Sequence, residues 1–287
     1  MWFELSLFFA LWTSIGILIL KKLTADYRPV HLAVLGNLFT IPFVFLILLY
    51  LKFPAVGIDF YKFIFTSAVL DSIAAITYYK ALTSSPISLL SPISSFNPIF
   101  TLFFALLFLH ENPTPLKFLG IIVIVIGSYL LNIKDIKSGL LKPFTNLFSN
   151  KGVQLFLISN LIWGFTPILQ KPAIFQTHPQ TPLFPVLVGS ILATVFLIPL
   201  AIKDKIHKVP IGKNIKWFLI IGPMTALAGL AAFTAFSLTN VAYVTAVFKL
   251  STLFSVILGA LFLKEKRISE RLLGATVMLI GTIILAI

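Results

Sequence analysis

Long apolar segments separated by short polar gaps run through almost the whole chain. A transmembrane helix needs roughly 17–25 mostly apolar residues, and ten segments approach or meet that length. These predicted spans are 3–20, 30–51, 61–82, 86–109, 115–132, 152–174, 183–202, 214–238, 241–263 and 269–287. The segments are too long and too uniformly apolar for the alternating strands of a membrane β-barrel. The pattern therefore predicts an all-α integral membrane protein with ten transmembrane helices.

One longer polar break divides the chain into halves of nearly equal length. It runs from Ile133 to Lys151 and contains Pro143 and four lysines. A solvated linker is the favoured interpretation, although the segment GLLKPFTNLF could also lie along the membrane interface as a short amphipathic piece. We therefore expect three parts, which are a five-helix repeat at 1–132, a linker at 133–150 and a second five-helix repeat at 151–287.

The two halves repeat each other in sequence. When Glu111 is placed over Glu265, a shift of 154 residues, LFLHENPTPLKFLGIIVIVIGSYLL lies over LFLKEKRISERLLGATVMLIGTIIL without a gap. Both segments carry Glu-x8-Gly-x6-Gly, and the glycines are Gly120, Gly127, Gly274 and Gly281. Because each half has an odd number of spans, the second half must enter the membrane upside down. The sequence therefore predicts two inverted five-helix repeats.

The repeated segments resemble a known family of transporters. NPIFTLFFALLFLHENPTPLKFLGIIVIVIGSYLL and STLFSVILGALFLKEKRISERLLGATVMLIGTIILAI resemble the signature of EamA-type transporters in the drug/metabolite transporter superfamily, and the Trp-Gly pair at Trp163 fits the start of that domain. The first copy departs where Thr13 replaces the glycine after Trp12, and the second where Thr252 stands at the place of Pro98. The resemblance implies ten helices, a central cavity between the halves and transport of amino acids or other small metabolites. It does not fix the substrate.

Composition and charge exclude several classes of protein. Of the 287 residues, 59% are hydrophobic and 11% are charged, whereas soluble domains have about 25% charged residues. The net charge is +13, yet no basic stripe alternates with base-stacking aromatics, so no nucleic-acid partner is expected. Cysteine is absent, which excludes disulfides and thiolate sites, and the four histidines lie in separate connections. No metal site and no cofactor are predicted.

The distribution of basic residues predicts the orientation in the membrane. With ten spans, 17 of the 22 Lys and Arg residues lie on the side opposite the termini, and four lie on the terminal side. The positive-inside rule then places both termini outside. We expect a multi-pass protein of the cell (plasma or inner) membrane with a retained first span. Its expected partners are the lipid bilayer and a small-molecule substrate, and it is expected to function as a monomer.

Two ionisable residues inside the predicted spans are the first candidates for a binding site. Asp71 is the eleventh residue of the 22-residue third span, and Lys249 lies inside the ninth. Burying either charge alone costs roughly 2.5–3.5 kcal/mol, so both side chains must face protein or water. In the functional interpretation Lys249 holds a substrate carboxylate or phosphate, and Asp71 receives a substrate amine, a coupling proton or Lys249 itself. The alternative is a permanent Asp71–Lys249 pair that only fixes helix register.

Polar and aromatic residues on neighbouring spans extend this candidate site. The residues predicted to contact substrate beside Asp71 and Lys249 are Tyr78, Tyr79, Asn97, Trp163, Gln170 and Tyr243. For any one of them an ordinary helix–helix contact is the favoured alternative. The prolines of the fourth span, at 86, 92 and 98, predict a bent helix that is either a gate or a static curve. Glu111 and Glu265 are expected to tie their turns to helix ends or cations, and the four repeated glycines to allow close helix packing.

The predicted function is secondary transport of a small metabolite by alternating access. An amino acid or a related amphipathic solute is the first candidate, with coupling to protons through Asp71 as an option. A membrane-embedded enzyme is the main alternative, but neither a metal-ligand cluster nor a nucleophile elbow is visible, so the chain is not expected to be an enzyme. A passive channel would show charged rings or a filter motif. A scaffold without transport activity would leave Asp71 and Lys249 unexplained.

Overall fold

Helices account for most of the chain in the computed structural model, which describes residues 1–23, 26–85, 87–132, 150–263 and 272–287. The helices of these residues are α1 Trp2–Leu23, α2 Pro29–Leu51, α3 Ile58–Ser84, α4 Ile87–Ser94, α5 Asn97–Phe104, α6 Pro115–Asn132, α7 Lys151–Phe175, α8 Leu183–Lys203, α9 Ile211–Leu238, α10 Val241–Phe248, α11 Leu250–Leu263 and α12 Leu272–Ala286. A π-helical turn, Ala105–Leu109, continues α5, and a 3₁₀ turn, Ile206–Lys208, follows α8.

The lengths and surfaces of these helices confirm the predicted ten-helix membrane protein. Within the described residues, eight helical stretches are long and apolar enough to cross a membrane, and two shorter apolar helices, Pro115–Leu131 and Leu273–Ala286, complete the ten. Large apolar side chains lie on the outside, and Leu46 and Leu261 are 60% and 70% exposed. Such a surface is solvated by lipid tails rather than by water. The linker predicted at 133–150 lies outside the described residues except for Asn150.

Short turns interrupt the α-helical hydrogen bonding within the fourth and the ninth predicted spans. The fourth is interrupted between α4 and α5 at Ser95 and Phe96, where Pro98 occupies the first turn of α5 and has no N–H to extend a helix backwards. Pro92 lies inside α4, and residue 86 is outside the described residues. The ninth span is interrupted at Lys249, whose backbone N–H bonds to the Ala246 carbonyl at 3.1 Å.

The two interruptions fall at equivalent places in the repeats. The shift of 154 residues lays Ile87–Ser94 over Val241–Phe248, and it lays Ser95 over Lys249. No helix-breaking residue adjoins Lys249, so the sequence carried no local sign of the second interruption. The same local change in helix geometry therefore occurs at corresponding positions of the two repeats.

Pairs of helices from opposite repeats hold the molecule together. Helix α3 packs along α7, α1 along α9, α2 along α8, and α6 along α12. At the last pair, a Cβ added to Gly127 would lie 2.9 Å from the Gly274 carbonyl oxygen, and one added to Gly120 would lie 3.2 Å from that of Gly281. The final helices of the two repeats are therefore antiparallel and meet at their glycines. This confirms the packing role predicted for these glycines and fits the inverted repeat.

Gly127→Ala is expected to destabilise the protein by about 1–3 kcal/mol, because the added methyl group would lie 2.5 Å from the Met278 backbone nitrogen. The measurement is thermal unfolding of the purified protein in detergent. Gly36→Ala is the matched control, since a Cβ at this helical position meets nothing within 4 Å. Equal unfolding temperatures for the two variants would contradict the close approach of α6 and α12.

Connections at both ends of the bundle also join the repeats. A two-residue antiparallel ladder pairs β1, Ala55–Val56, with β2, Thr177–His178. At the other end Lys213 donates to Asp26 at 3.0 Å, and Arg28 donates to Asp204 at 3.0 Å. The hydrogen bond from the Lys213 ammonium holds the pKa of Asp26 below its usual range. Sequence reasoning did not predict these contacts, because each joins short connections from different repeats.

Candidate functional site

A cavity of about 350 Å³ lies between the two repeats. Helices α2 and α3 of the first repeat and α7, α8 and α9 of the second contribute its walls. Its polar lining residues are Asn37, Ser67, Asp71, Ser72, Trp163, Gln170 and Ser190. We call this space the Asp71 cavity. Its place between the halves is the one that the family resemblance implies for a central cavity.

Asp71 carries the only formal charge among the described residues that line the Asp71 cavity. It lies one helical turn after Ser67, so both side chains are on the same face of α3. Ser67 donates to Asp71 Oδ2 at 3.3 Å, and Gln170 of α7 donates to the same oxygen at 3.3 Å. The Thr166 hydroxyl lies beside the carboxylate as well. These partners are neutral, so they orient the carboxylate, and no cation among the described residues forms an ion pair with it.

The rest of the cavity wall offers polar groups that the protein does not use. Among the described residues, no hydrogen bond involves the side chains of Asn37 or Ser190. Asn37 could both donate and accept, and the Ser190 hydroxyl could do the same. The remaining wall is apolar and includes Leu197 and Phe233. A few unpaired polar groups within an apolar wall are typical of a small-molecule site.

The structure brings three of the predicted site residues together and keeps two more nearby. Asp71, Trp163 and Gln170 line the Asp71 cavity. The Tyr78 ring lies against Trp163 with 5.3 Å between centroids, and Tyr79 packs against the buried apolar cluster around Val34 and Leu197.

Two other predicted residues make the ordinary helix–helix contacts that were the favoured alternative. The Asn97 amide donates to the Asn160 carbonyl at 3.0 Å, which joins α5 to α7. The Tyr243 hydroxyl accepts from the Thr114 backbone N–H at 3.3 Å, and Lys117 lies over its ring at 5.4 Å. Neither residue lines the Asp71 cavity.

Comparison with known proteins identifies the family. The model of the EamA-like transporter family matches residues 2–133 and again residues 150–287. The chain belongs to the EamA-like transporter family. It is therefore a multi-pass membrane protein of the drug/metabolite transporter type, in a family whose members move small solutes and are not enzymes.

Two individual proteins similar to this chain give no further information on its function. A solved crystal structure of a protein superposes with a TM-score of 0.78 at 12% identity, covering 99% of this chain and 95% of its own. An uncharacterised protein of Methanocaldococcus jannaschii is 39% identical over 69 residues. That match covers 24% of this chain and about half of the relative, 50% of its length.

Lys249 of this EamA-like transporter does not pair with Asp71. Within the part of the chain that the structure describes, no acid forms an ion pair with Lys249, and Lys249 does not line the Asp71 cavity. The permanent Asp71–Lys249 pair considered from the sequence is therefore not formed. The physical reason is the placement of the two residues, since Asp71 faces α7 across the repeats while Lys249 lies in the interruption between α10 and α11.

Several cavity residues of the EamA-like chain were missing from the predicted site. Asn37, Ser190 and Phe233 come from three helices that carried no predicted site residue. Asn37 is an amide within an apolar span, and that polarity could have marked it. Ser190 and Phe233 gave no such signal, because serine and phenylalanine are common in membrane helices.

Glu111 forms a buried connection between the repeats of the EamA-like fold. Lys171 of α7 donates to Glu111 at 2.5 Å and to the Thr239 carbonyl at 2.7 Å. The other Glu111 oxygen accepts the Val241 backbone N–H at 2.8 Å, at the start of α10. This confirms the predicted role, a turn tied to a helix end and a cation. Glu265, its counterpart, lies outside the described residues.

Proposed function

We propose that this protein is a secondary transporter that binds a small solute at Asp71 and moves it across the membrane by alternating access. The observation that carries the proposal is a cavity between the two repeats with an uncompensated carboxylate in its wall. An ionisable group at this depth is costly, and it is retained in membrane proteins mostly where it meets a substrate or a proton.

The position of the cavity supports alternating access. Its walls come from both repeats, so a rocking movement of one repeat against the other would change which end of the cavity is open. The antiparallel glycine contact of α6 and α12 lies outside the cavity wall and could remain in place during that movement. Two inverted repeats also provide two conformations that are similar in structure and opposite in orientation.

The Asp71 cavity favours a solute with a protonated amine. The carboxylate would accept a charge-assisted hydrogen bond from that amine, which is stronger than a bond between neutral groups. Amino acids remain candidates, with Asn37 and Ser190 available for their carboxylate. The role predicted for Lys249, holding a substrate carboxylate, stays a prediction. Proton coupling would follow if a proton and the solute compete for Asp71.

Exchange in proteoliposomes is the direct test. Vesicles loaded with one unlabelled solute would be assayed for uptake of its radiolabelled form, across a panel of amino acids, amines, sugars, nucleosides and organic acids. We expect saturable exchange of at least one amine-bearing solute, and uphill uptake when a pH gradient is imposed. Folded protein that exchanges nothing would overturn transport in favour of a scaffold. An exchange rate that does not change with the pH gradient would overturn proton coupling.

Cysteine accessibility tests alternating access separately. The chain has no cysteine, so Ser190→Cys places a single thiol in the cavity wall. We expect a membrane-impermeant maleimide to label it from either side of the membrane, and excess solute to slow the labelling. Ile191→Cys is the matched control, because the Ile191 side chain, next to Ser190 in α8, faces outward and is 41% exposed. Labelling of Ser190→Cys from one side only, with or without solute, would contradict alternating access.

A further inference from the structure

A second cavity adjoins the Asp71 cavity, and its wall is apolar where that of the Asp71 cavity is polar and charged. It has a volume of about 400 Å³ and lies mainly between α1 and α9, so we call it the α1–α9 cavity. Phe9, Trp12, Ile221 and Met224 are among the side chains that make its wall largely apolar. Among the described residues, no charged side chain lines it.

The two cavities occupy equivalent places in the two repeats. The shift of 154 residues lays Ser67, Asp71 and Ala75 of α3 over Ile221, Thr225 and Gly229 of α9. Each of these six residues lines its own cavity. Trp163 of the Asp71 cavity corresponds in the same way to Phe9 of the α1–α9 cavity. The two cavities are thus related by the repeat, and the carboxylate is present in only one of them.

One residue stands between the two cavities. Val186 of α8 lines both of them and is 9% exposed. A Cβ added to Gly229 would lie 2.9 Å from Val186 Cγ1, so α9 passes directly beside this partition. Phe233, one turn further along α9, already belongs to the Asp71 cavity. A solute that extends from one cavity to the other would therefore have to displace the Val186 side chain.

One wall residue of the α1–α9 cavity, Trp12, has an unused hydrogen-bond donor. The Trp12 indole nitrogen is buried and has no partner among the described residues. A buried donor without an acceptor costs free energy, which a bound molecule could recover. The wall around it is apolar, so most of that molecule would have to be apolar too.

From these observations we propose that the two cavities form one site for an amphipathic amine, with its ammonium group at Asp71 and its apolar part beyond Val186 in the α1–α9 cavity. The proposal rests on the proposed function and names the class of solute. The neutral partners of Asp71 leave its charge for an ammonium group, and the apolar wall favours a hydrocarbon or aromatic tail. A solute with a carboxylate next to its amine would have to bury a second charge, and the described residues of the two walls include no cation to compensate it.

Binding of straight-chain primary amines, from ethylamine to octylamine, tests the proposal. The purified protein in lipid nanodiscs would be titrated while tryptophan fluorescence is followed, because Trp163 and Trp12 lie in the two cavities. We expect the dissociation constant to fall roughly fourfold for each added methylene once the chain passes Val186. Primary alcohols of equal length should bind roughly 10–100-fold more weakly, since they lack the charge.

Three variants separate the parts of the site. Asp71→Asn should remove the preference for amines over alcohols and keep the dependence on chain length. Thr225→Phe, which fills the α1–α9 cavity from a position that is exposed to it, should remove the chain-length gain and leave ethylamine binding unchanged. With Val186→Ala, the dissociation constant should begin to fall at a shorter chain length.

The outcomes separate this proposal from the proposed function. Affinity that does not depend on chain length, or a gain that persists in Thr225→Phe, would overturn the two-cavity site. Tighter binding of zwitterions than of amines would overturn the solute class. In both cases saturable exchange of another solute in proteoliposomes would leave the transporter proposal standing. Absence of exchange for every solute would overturn the proposed function itself.

Discussion

Asp71→Asn is expected to raise the half-saturation concentration for an amine-bearing solute by roughly 10–100-fold, and to abolish any uptake driven by a pH gradient. The substitution keeps the size of the side chain and its contacts with Ser67 and Gln170, but it removes the only formal charge on the described cavity wall. A hydrogen bond to a charged group contributes about 1.5–3 kcal/mol, which corresponds to that loss of affinity. Initial rates of exchange in proteoliposomes give the measurement.

Two other substitutions show whether the loss is specific to Asp71. Ser72→Ala removes a polar group of the same cavity whose hydroxyl bonds to the Ala68 carbonyl of its own helix, so we expect less than a threefold change. Lys249→Ala tests the predicted carboxylate site, and loss of amino-acid exchange alone would support it. If exchange survives both Asp71→Asn and Lys249→Ala, the protein is still a transporter. The two charged residues would then have a structural role and would not bind the solute.

Glu111→Ala is expected to destabilise the folded protein by about 3–5 kcal/mol, the cost of removing one partner from a buried ion pair. The side chains of Lys171 and Glu111 are only 15% and 10% exposed, so the ammonium would be left in a poorly solvated place. The Val241 N–H at the start of α10 would also lose its acceptor. Chemical unfolding in mixed micelles, followed by circular dichroism, gives the measurement.

An exposed ion pair provides the comparison for Glu111. Lys62 and Asp59 form a 2.7 Å pair with 71% and 51% of their side chains exposed, so Asp59→Asn should cost less than about 1 kcal/mol. Glu111→Leu combined with Lys171→Met should recover much of the stability lost in Glu111→Ala, because no buried charge is then left alone. If Glu111→Ala were no more destabilising than Asp59→Asn, the buried connection would contribute nothing.

The architecture could be predicted from the sequence because its signals are local and repeated. Each span is marked by its own run of apolar residues, and the Glu-x8-Gly-x6-Gly pattern marks the same turn and helix in both halves. Because a membrane helix must satisfy its backbone hydrogen bonds internally, an apolar run of this length leaves few alternatives. The roles of Glu111 and of the four glycines followed from the same pattern.

The site could be predicted only in part, because it depends on how helices are rotated against one another. Asp71 stood out by its charge. Asn37 and Ser190 reach the cavity only because α8 packs against both α2 and α3. Asn97 and Tyr243 use their polar groups in contacts between helices, and their contact with substrate stays a prediction. The interruption at Lys249 has no sequence signal, so the position of its side chain could not be derived from a continuous helix.

The two ends of the bundle respond differently to dissolved ions. At the end that contains Glu111 and Lys171, the contact between repeats is shielded from solvent, so electrolyte has little access to it. At the opposite end the basic side chains of the Arg28–Asp204 and Lys213–Asp26 pairs are 68% and 63% exposed. Dissolved ions screen such exposed pairs, and the screening becomes stronger as the salt concentration rises. The contacts between the repeats at this end would therefore weaken as the salinity rises in the compartment that faces the connections α1–α2 and α8–α9, and the contact at the other end would not.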